Sequence, residues 1–239
     1  MHTDVEEVQI WLLSLEGDDG LIASYAALLS PDERGRADRY RFERDRRGFI
    51  ACRAQLRSLL THYVGGAPAQ IRFRYNPFGK PELTPTLASS TVEFNVSNSG
   101  TYAACAVAAR RRVGVDLEQL NPSTNLQPAA HEILSPSEHA ELGATSCTGE
   151  RSRQLLRIWT RKEALLKAWG TGLSTSMREV TVGAAYGAYT WLSEAGSSAS
   201  RQAWSLLDYP TPDGYVGAVA VEGTNAVVQF KGLWSARNV

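Results

Sequence analysis

Apolar residues fall into two long helical patterns, one in each half of the chain. Residues 49–60 and 159–170 each place an aromatic residue ahead of charged positions four and eight residues on, with leucines between. Leu155, Leu156, Trp159, Leu166 and Trp169 mark the buried stripe of the second pattern. Upstream of each, Leu29-Ser30-Pro31-Asp32-Glu33 recurs as Leu134-Ser135-Pro136-Ser137-Glu138. A serine, a proline after it and a glutamate three positions on form a capping box, so both segments open helices. The repeat aligns Phe49, Arg53 and Arg57 with Trp159, Glu163 and Lys167. Strand-like segments follow each helical stretch, at residues 71–75, 92–96 and 102–108 in the first half and at 180–182, 188–192 and 215–221 in the second.

Turn chemistry fits this parsing. Asn76-Pro77-Phe78-Gly79-Lys80-Pro81 carries two prolines and a glycine, Asn121-Pro122-Ser123 ends a strand in mid-chain, and residues 208–214, with Pro210 and Pro212, connect a late hairpin. Residues 143–149 read as an exposed loop between helices. The pattern therefore predicts an α+β fold, a pseudo-dimer of two similar α+β halves at residues 1–113 and 114–239.

Composition narrows the function. The 239 residues carry 25 Lys+Arg against 25 Asp+Glu, so no global field gathers nucleic acid or anionic membrane. At 43% hydrophobic and 21% charged, the chain is expected to fold throughout. Cys52, Cys105 and Cys147 are odd in number and far apart, which fits a reducing cytosol and offers no Cys-x-x-Cys pair. No two of the four histidines have the spacing of a helical zinc site. The first residues carry Asp4, Glu6 and Glu7 where a signal peptide needs positive charge, so a cytoplasmic protein is expected. Dinucleotide, Walker and Gly-x-Ser-x-Gly motifs are absent from the sequence.

Three places could carry chemistry. Gly114-Val115-Asp116-Leu117-Glu118 alternates apolar and acidic residues, so in an extended chain Asp116 and Glu118 share a side. Two such carboxylates suit Mg²⁺, although a solvated strand edge reads the same way. Glu163 lies on or beside the apolar stripe, where a carboxylate is costly without a partner. It is either a third metal carboxylate or base, with Lys167 facing an anionic substrate, or half of a Glu163–Lys167 surface ion pair. Most of the arginines between Arg34 and Arg57, within one helical stretch, read as a solvated face, while Arg53 sits among apolar residues where a guanidinium can fork onto phosphate. Phe94-Asn95-Val96-Ser97-Asn98-Ser99-Gly100 reads as a strand running into a polar turn, which serves equally as a phosphate cradle or an ordinary hairpin.

In this order the motifs Asn76 to Pro81, Phe94 to Ser99, Gly114 to Glu118, and Trp159-Thr160-Arg161-Lys162-Glu163-Ala164 through Lys167 to Gly170-Thr171-Gly172-Leu173 resemble those of the 4′-phosphopantetheinyl transferases of the long, Sfp-like class. The resemblance covers residues 30–182. It implies a pseudo-dimer with its active site in the cleft between the halves. It further implies transfer of the phosphopantetheine arm of coenzyme A to a serine of an apo acyl or peptidyl carrier protein, releasing adenosine 3′,5′-bisphosphate. Asp116, Glu118 and Glu163 then correspond to the Mg²⁺ carboxylates, and Glu163 also to the base that activates the serine. Lys167 would face the pyrophosphate and Arg53, Ser97 and Asn98 the phosphates, while Phe78, Gly79, Lys80 and Pro81 would line the adenine pocket. Members of the family usually have histidine where this chain has Asn98, which implies weaker coenzyme A binding here; a relative that binds without turnover is the alternative. A monomer is expected, because two halves already build one cleft.

Overall fold

The computed structural model describes residues 7–84, 91–121, 126–170, 175–184, 188–192 and 203–235, the fifth of these segments by its backbone alone. Pro122, Ser123, Thr171, Gly172 and Leu173, named above, lie outside the described residues. In the first half β1 (Val8–Ser14) leads into α1 (Asp19–Leu28), α2 (Pro31–Ala37) and α3 (Glu43–Val64). The hairpin β2 (Phe73–Tyr75) and β3 (Pro81–Leu83) follows, then β4 (Val92–Ser99) and β5 (Tyr102–Ala109). The second half runs through β6 (Val113–Gln119), α4 (Ala130–Ile133), α5 (Pro136–Gly143), α6 (Thr148–Trp169), β7 (Ala188–Leu192), β8 (Ala203–Asp208) and β9 (Tyr215–Glu222). A last strand, β10 (Val228–Leu233), returns to the first half.

One sheet has the order β10-β1-β5-β4 and the other β6-β9-β8-β7. All pairings are antiparallel except β1 with β10, which is parallel. Alternation along the strands divides the interior into three cores. Trp11, Leu13, Cys105 and Val107 face Ile50, Leu56 and Leu60 of α3. Ile10, Leu12, Ala104 and Ala106 meet Val113, Val115, Leu117 and Val219 of the other sheet. Trp204, Leu206, Ala218 and Ala220 pack on Ile158, Leu165 and Leu166 of α6. The layers are therefore helix, sheet, sheet, helix, with the chain crossing between sheets at residues 110–112.

The internal repeat is present, in a different register. Val8 and Val113, Ser30 and Ser135, and Glu43 and Thr148 open equivalent elements at one constant spacing. Arg57 then corresponds to Lys162, rather than to Lys167, and the contacts agree. Glu33 accepts from Arg57 Nε at 2.7 Å, and Glu138 accepts from Lys162 Nζ at 2.5 Å. In each half the capping-box glutamate, itself buried, anchors a cation from the long helix.

Three local expectations change. The arginine-rich stretch is two helices, α2 and α3, separated at residues 38–42. Residues 180–182 form no strand, because the Val182 and Gly183 N–H groups donate to the Glu138 carboxylate instead of a neighbouring strand. The polar run after Val96 is strand rather than turn: Ser97, Asn98 and Ser99 pair with Ala104, Ala103 and Tyr102, and the chain reverses at Gly100, whose φ is 56°. Among the described residues no helix is long and apolar enough to cross a membrane.

Candidate active site

Extending β4 to Ser99 decides what its polar residues do. Asn95, Ser97 and Ser99 point to one side of the strand and Asn98 to the other. On that first side lies β6, the edge strand of the second sheet. An edge leaves alternate backbone groups unpaired, and side chains from the first half satisfy them. Asn95 Oδ1 accepts from Val115 N at 2.8 Å, Ser99 Oγ accepts from Gln119 N at 3.1 Å, and Lys80 Nζ donates to Val113 O at 3.0 Å.

The same contact brings the acids together. Ser97 Oγ donates to Asp116 Oδ1 at 2.8 Å, and Ser99 Oγ donates to Glu118 Oε2 at 2.8 Å. Lys167 Nζ reaches from α6 to Asp116 Oδ1 at 2.6 Å and to Ser97 Oγ at 2.8 Å. The helix comes this close because Gly114 has no side chain: a Cβ there would lie 2.1 Å from Ala164 O. Tyr209, lying over Gly217, donates to the Asp116 carbonyl at 2.9 Å.

Burial dominates the electrostatics of the cluster. It raises the Glu118 carboxyl above its ordinary value, helped by the Asp116 charge and opposed by the hydrogen bond from Ser99 and the Lys167 charge. Burial also raises Glu163, with Asp116 and Glu118 adding to the effect and Lys167 opposing it. Glu163 has no hydrogen-bond partner among the described residues. Asp116 is 1% exposed, and its Oδ2 is buried with no partner. Among the described residues no group of three or more His, Cys, Asp or Glu side chains stands assembled as a metal centre; Asp116 Oδ1 holds the Lys167 ammonium instead. The donor set nevertheless fits a hard cation, being made of oxygen atoms alone, with one carboxylate oxygen left unpartnered.

A cleft of about 770 Å³ runs from α3 past the β2–β3 turn to the end of β4. Arg53, Gly79, Pro81 and Asn98 line it, as do Ser99 and Gln119; Asp116, Glu118, Glu163 and Lys167 do not, and Ser99, bonded to Glu118, links the cleft to the acids. Arg53 is at the same time bonded to Glu33, at 2.8 Å from Nε, and lies over the Phe73 ring. Phe78 stands exposed at the turn, 56% accessible. Lys80 donates to Lys167 O at 2.9 Å as well as to Val113 O, and Asn76 Nδ2 donates to Gly170 O at 3.1 Å. The turn thus caps the C-terminus of α6, and burial holds the Lys80 ammonium below its ordinary pKa.

Comparison with known proteins identifies the family. Residues 112–220 match the model of the 4′-phosphopantetheinyl transferase superfamily, and residues 20–110 match that of the 4′-phosphopantetheinyl transferase N-terminal domain. The chain is 37% identical over 218 residues to the 4′-phosphopantetheinyl transferase HetI of Nostoc sp., a match covering 91% of this chain and 89% of that one. The chain belongs to the 4′-phosphopantetheinyl transferase family. It is also 35% identical over 216 residues to the putative 4′-phosphopantetheinyl transferase slr0495 of Synechocystis sp., covering 89% of this chain and 86% of the other. A 4′-phosphopantetheinyl transferase of Bacillus subtilis is 28% identical over 156 residues, or 65% of this chain and 66% of its own. The two matched regions of the transferase meet at the crossover between the sheets. Three residues to which sequence reasoning assigned no place in the site shape it: Ser99 and Tyr209, which hold Glu118 and the Asp116 backbone, and Glu138, which anchors α6. Alternation along a longer β4 would have pointed to Ser99, and the capping box to Glu138.

Proposed function

We propose that this transferase moves the 4′-phosphopantetheine arm of coenzyme A onto a serine hydroxyl of an apo acyl or peptidyl carrier protein, releasing adenosine 3′,5′-bisphosphate. The observation that supports it best is Ser99, which lines the 770 Å³ cleft and donates to Glu118 of the acid cluster. The serine oxygen forms a bond to the phosphorus of the arm, the bond from that phosphorus to the nucleotide oxygen breaks, and the serine proton leaves to a base. Glu163 suits the base: among the described residues no hydrogen bond competes for its carboxylate, and its raised pKa favours accepting a proton. Asp116, Glu118 and Glu163 would hold Mg²⁺, which supplies neutralisation of charge on the pyrophosphate oxygens. Lys167 would turn from Asp116 to the pyrophosphate. Arg53, Ser97 and Asn98 would meet the phosphates and Phe78 to Pro81 the adenine, with Lys80 contributing through its hold on α6.

Intact-protein mass spectrometry of an apo carrier protein tests the reading. Incubation with the enzyme, coenzyme A and Mg²⁺ should add one phosphopantetheine arm, and EDTA or Glu163→Gln should abolish the gain. Equal mass gain with and without EDTA would remove the metal from the reaction, and no gain in any carrier would remove the transfer.

A further inference from the structure

The transferase's acids lie in its second half, yet their orientation is set by the first. We infer that Ser99 is a positioning residue that aims the Glu118 carboxylate; the inference rests on the proposed metal role of Glu118. The Ser99 hydroxyl has one proton and is fully committed. It accepts from Gln119 N at 3.1 Å and so directs its proton to Glu118 Oε2, at 2.8 Å. Held on one side by the Gln119 N–H, the hydroxyl offers its proton in one direction and so keeps the carboxylate oxygen in place beside the end of β4.

The position of Ser99 in the fold gives the arrangement its reach. The residue ends β4, where the strand is held by pairing with Tyr102, and it also lines the cleft. Its side chain turns toward β6, whereas the next residue back, Asn98, faces the other way. A ligand in the cleft and the Glu118 carboxylate are therefore separated by one side chain. Ser97 is different, because its hydroxyl and Lys167 converge on the same Asp116 oxygen, so loss of one leaves the other in place.

The test compares Ser99→Ala and Ser99→Thr with the wild type, using Mn²⁺ as reporter ion at saturating coenzyme A. Ser99→Ala should weaken Mn²⁺ binding roughly tenfold, the scale for removing an outer hydrogen bond to a metal ligand. Its Michaelis constant for coenzyme A, measured at saturating Mn²⁺, should stay at the wild-type value, and excess Mn²⁺ should restore turnover. Ser99→Thr keeps the hydroxyl and should bind Mn²⁺ as the wild type does. If Ser99→Ala binds Mn²⁺ normally, or loses coenzyme A affinity instead, Ser99 does not position Glu118. If the wild type binds no Mn²⁺ that Asp116→Asn abolishes, the metal reading itself fails, and the inference with it.

Discussion

At the scale of single residues, the acids of the site are held in a costly arrangement. Burial raises the carboxyls of Glu118 and Glu163, and each is raised further by neighbouring negative charge. A carboxyl whose pKa is higher in the folded state than in the unfolded one stabilises the fold only below its ordinary value of 4.5, and loses that contribution as pH rises through the raised value. At neutral pH and without a cation these groups therefore burden the fold. Glu163→Gln should be inactive yet more stable than the wild type in EDTA, by roughly 2–4 °C in melting temperature, the scale of 1 kcal/mol in a chain of this size. Adding Mg²⁺ should raise the wild-type melting temperature and leave that of the variant in place. A variant that melts below the wild type in EDTA would show that Glu163 is structural. The pattern Gly-Val-Asp-Leu-Glu made the pairing of Asp116 and Glu118 legible from sequence, because alternation in an extended chain is a local rule. The partners of these acids were not legible: Ser97, Ser99 and Lys167 approach from other elements, and only the packing of α6 and β4 on β6 brings them there.

Elements were legible in proportion to their length and to the strength of their local signals. Both capping boxes lie where the sequence places them, and residues 208–214 do connect β8 to β9. The extent of β4 was hidden because Ser, Asn and Gly are turn residues by local preference, and pairing with β5 overrides that preference. Residues 180–182 erred the other way: an apolar run reads as a strand, but its donors are taken by Glu138. The contact between β6 and α6 depends on a glycine with an ordinary role in the sequence pattern. At Gly114 a Cβ would also lie 2.4 Å from Ala168 N, against helix backbone that has no rotamer to offer. Gly114→Ala should cost about 3 kcal/mol or more by forcing α6 away from β6, and transfer should fall with it as Glu163 and Lys167 are carried away from the acids of β6. Denaturant unfolding measures the first effect; a normal midpoint would show that the helix can shift freely.

On the scale of the whole molecule, two equivalent halves share one anchoring device and differ in what it holds. Glu33 is buried between Arg53 and Arg57, and Glu138 beside Lys162, with side chains almost wholly removed from solvent. Burial alone would raise the Glu33 carboxyl, but the two guanidiniums and the Ser30 N–H outweigh it, and the pKa is lowered. A carboxyl lowered on folding stabilises the protein above its ordinary value of 4.5 and loses that contribution as pH falls through the lower, folded-state value. The stability of the transferase should therefore drop on acidification below about pH 4.5. Glu33→Gln should flatten that part of the profile and cost about 3 kcal/mol at pH 7 by leaving two buried guanidiniums short of a counter-charge. An unchanged acid limb in urea melts of the variant would locate the dependence elsewhere. The two-half plan was visible in the repeat, whereas the return of β10 to the first sheet was not, since nothing local marks a strand for a distant partner. That return sets an order of assembly on the ribosome. Val8 is made early and its partner Val228 roughly 220 residues later, an interval on the order of 10–40 s at ordinary rates of synthesis. For that time the outer edge of β1 has no strand beside it and is open to pairing with another chain.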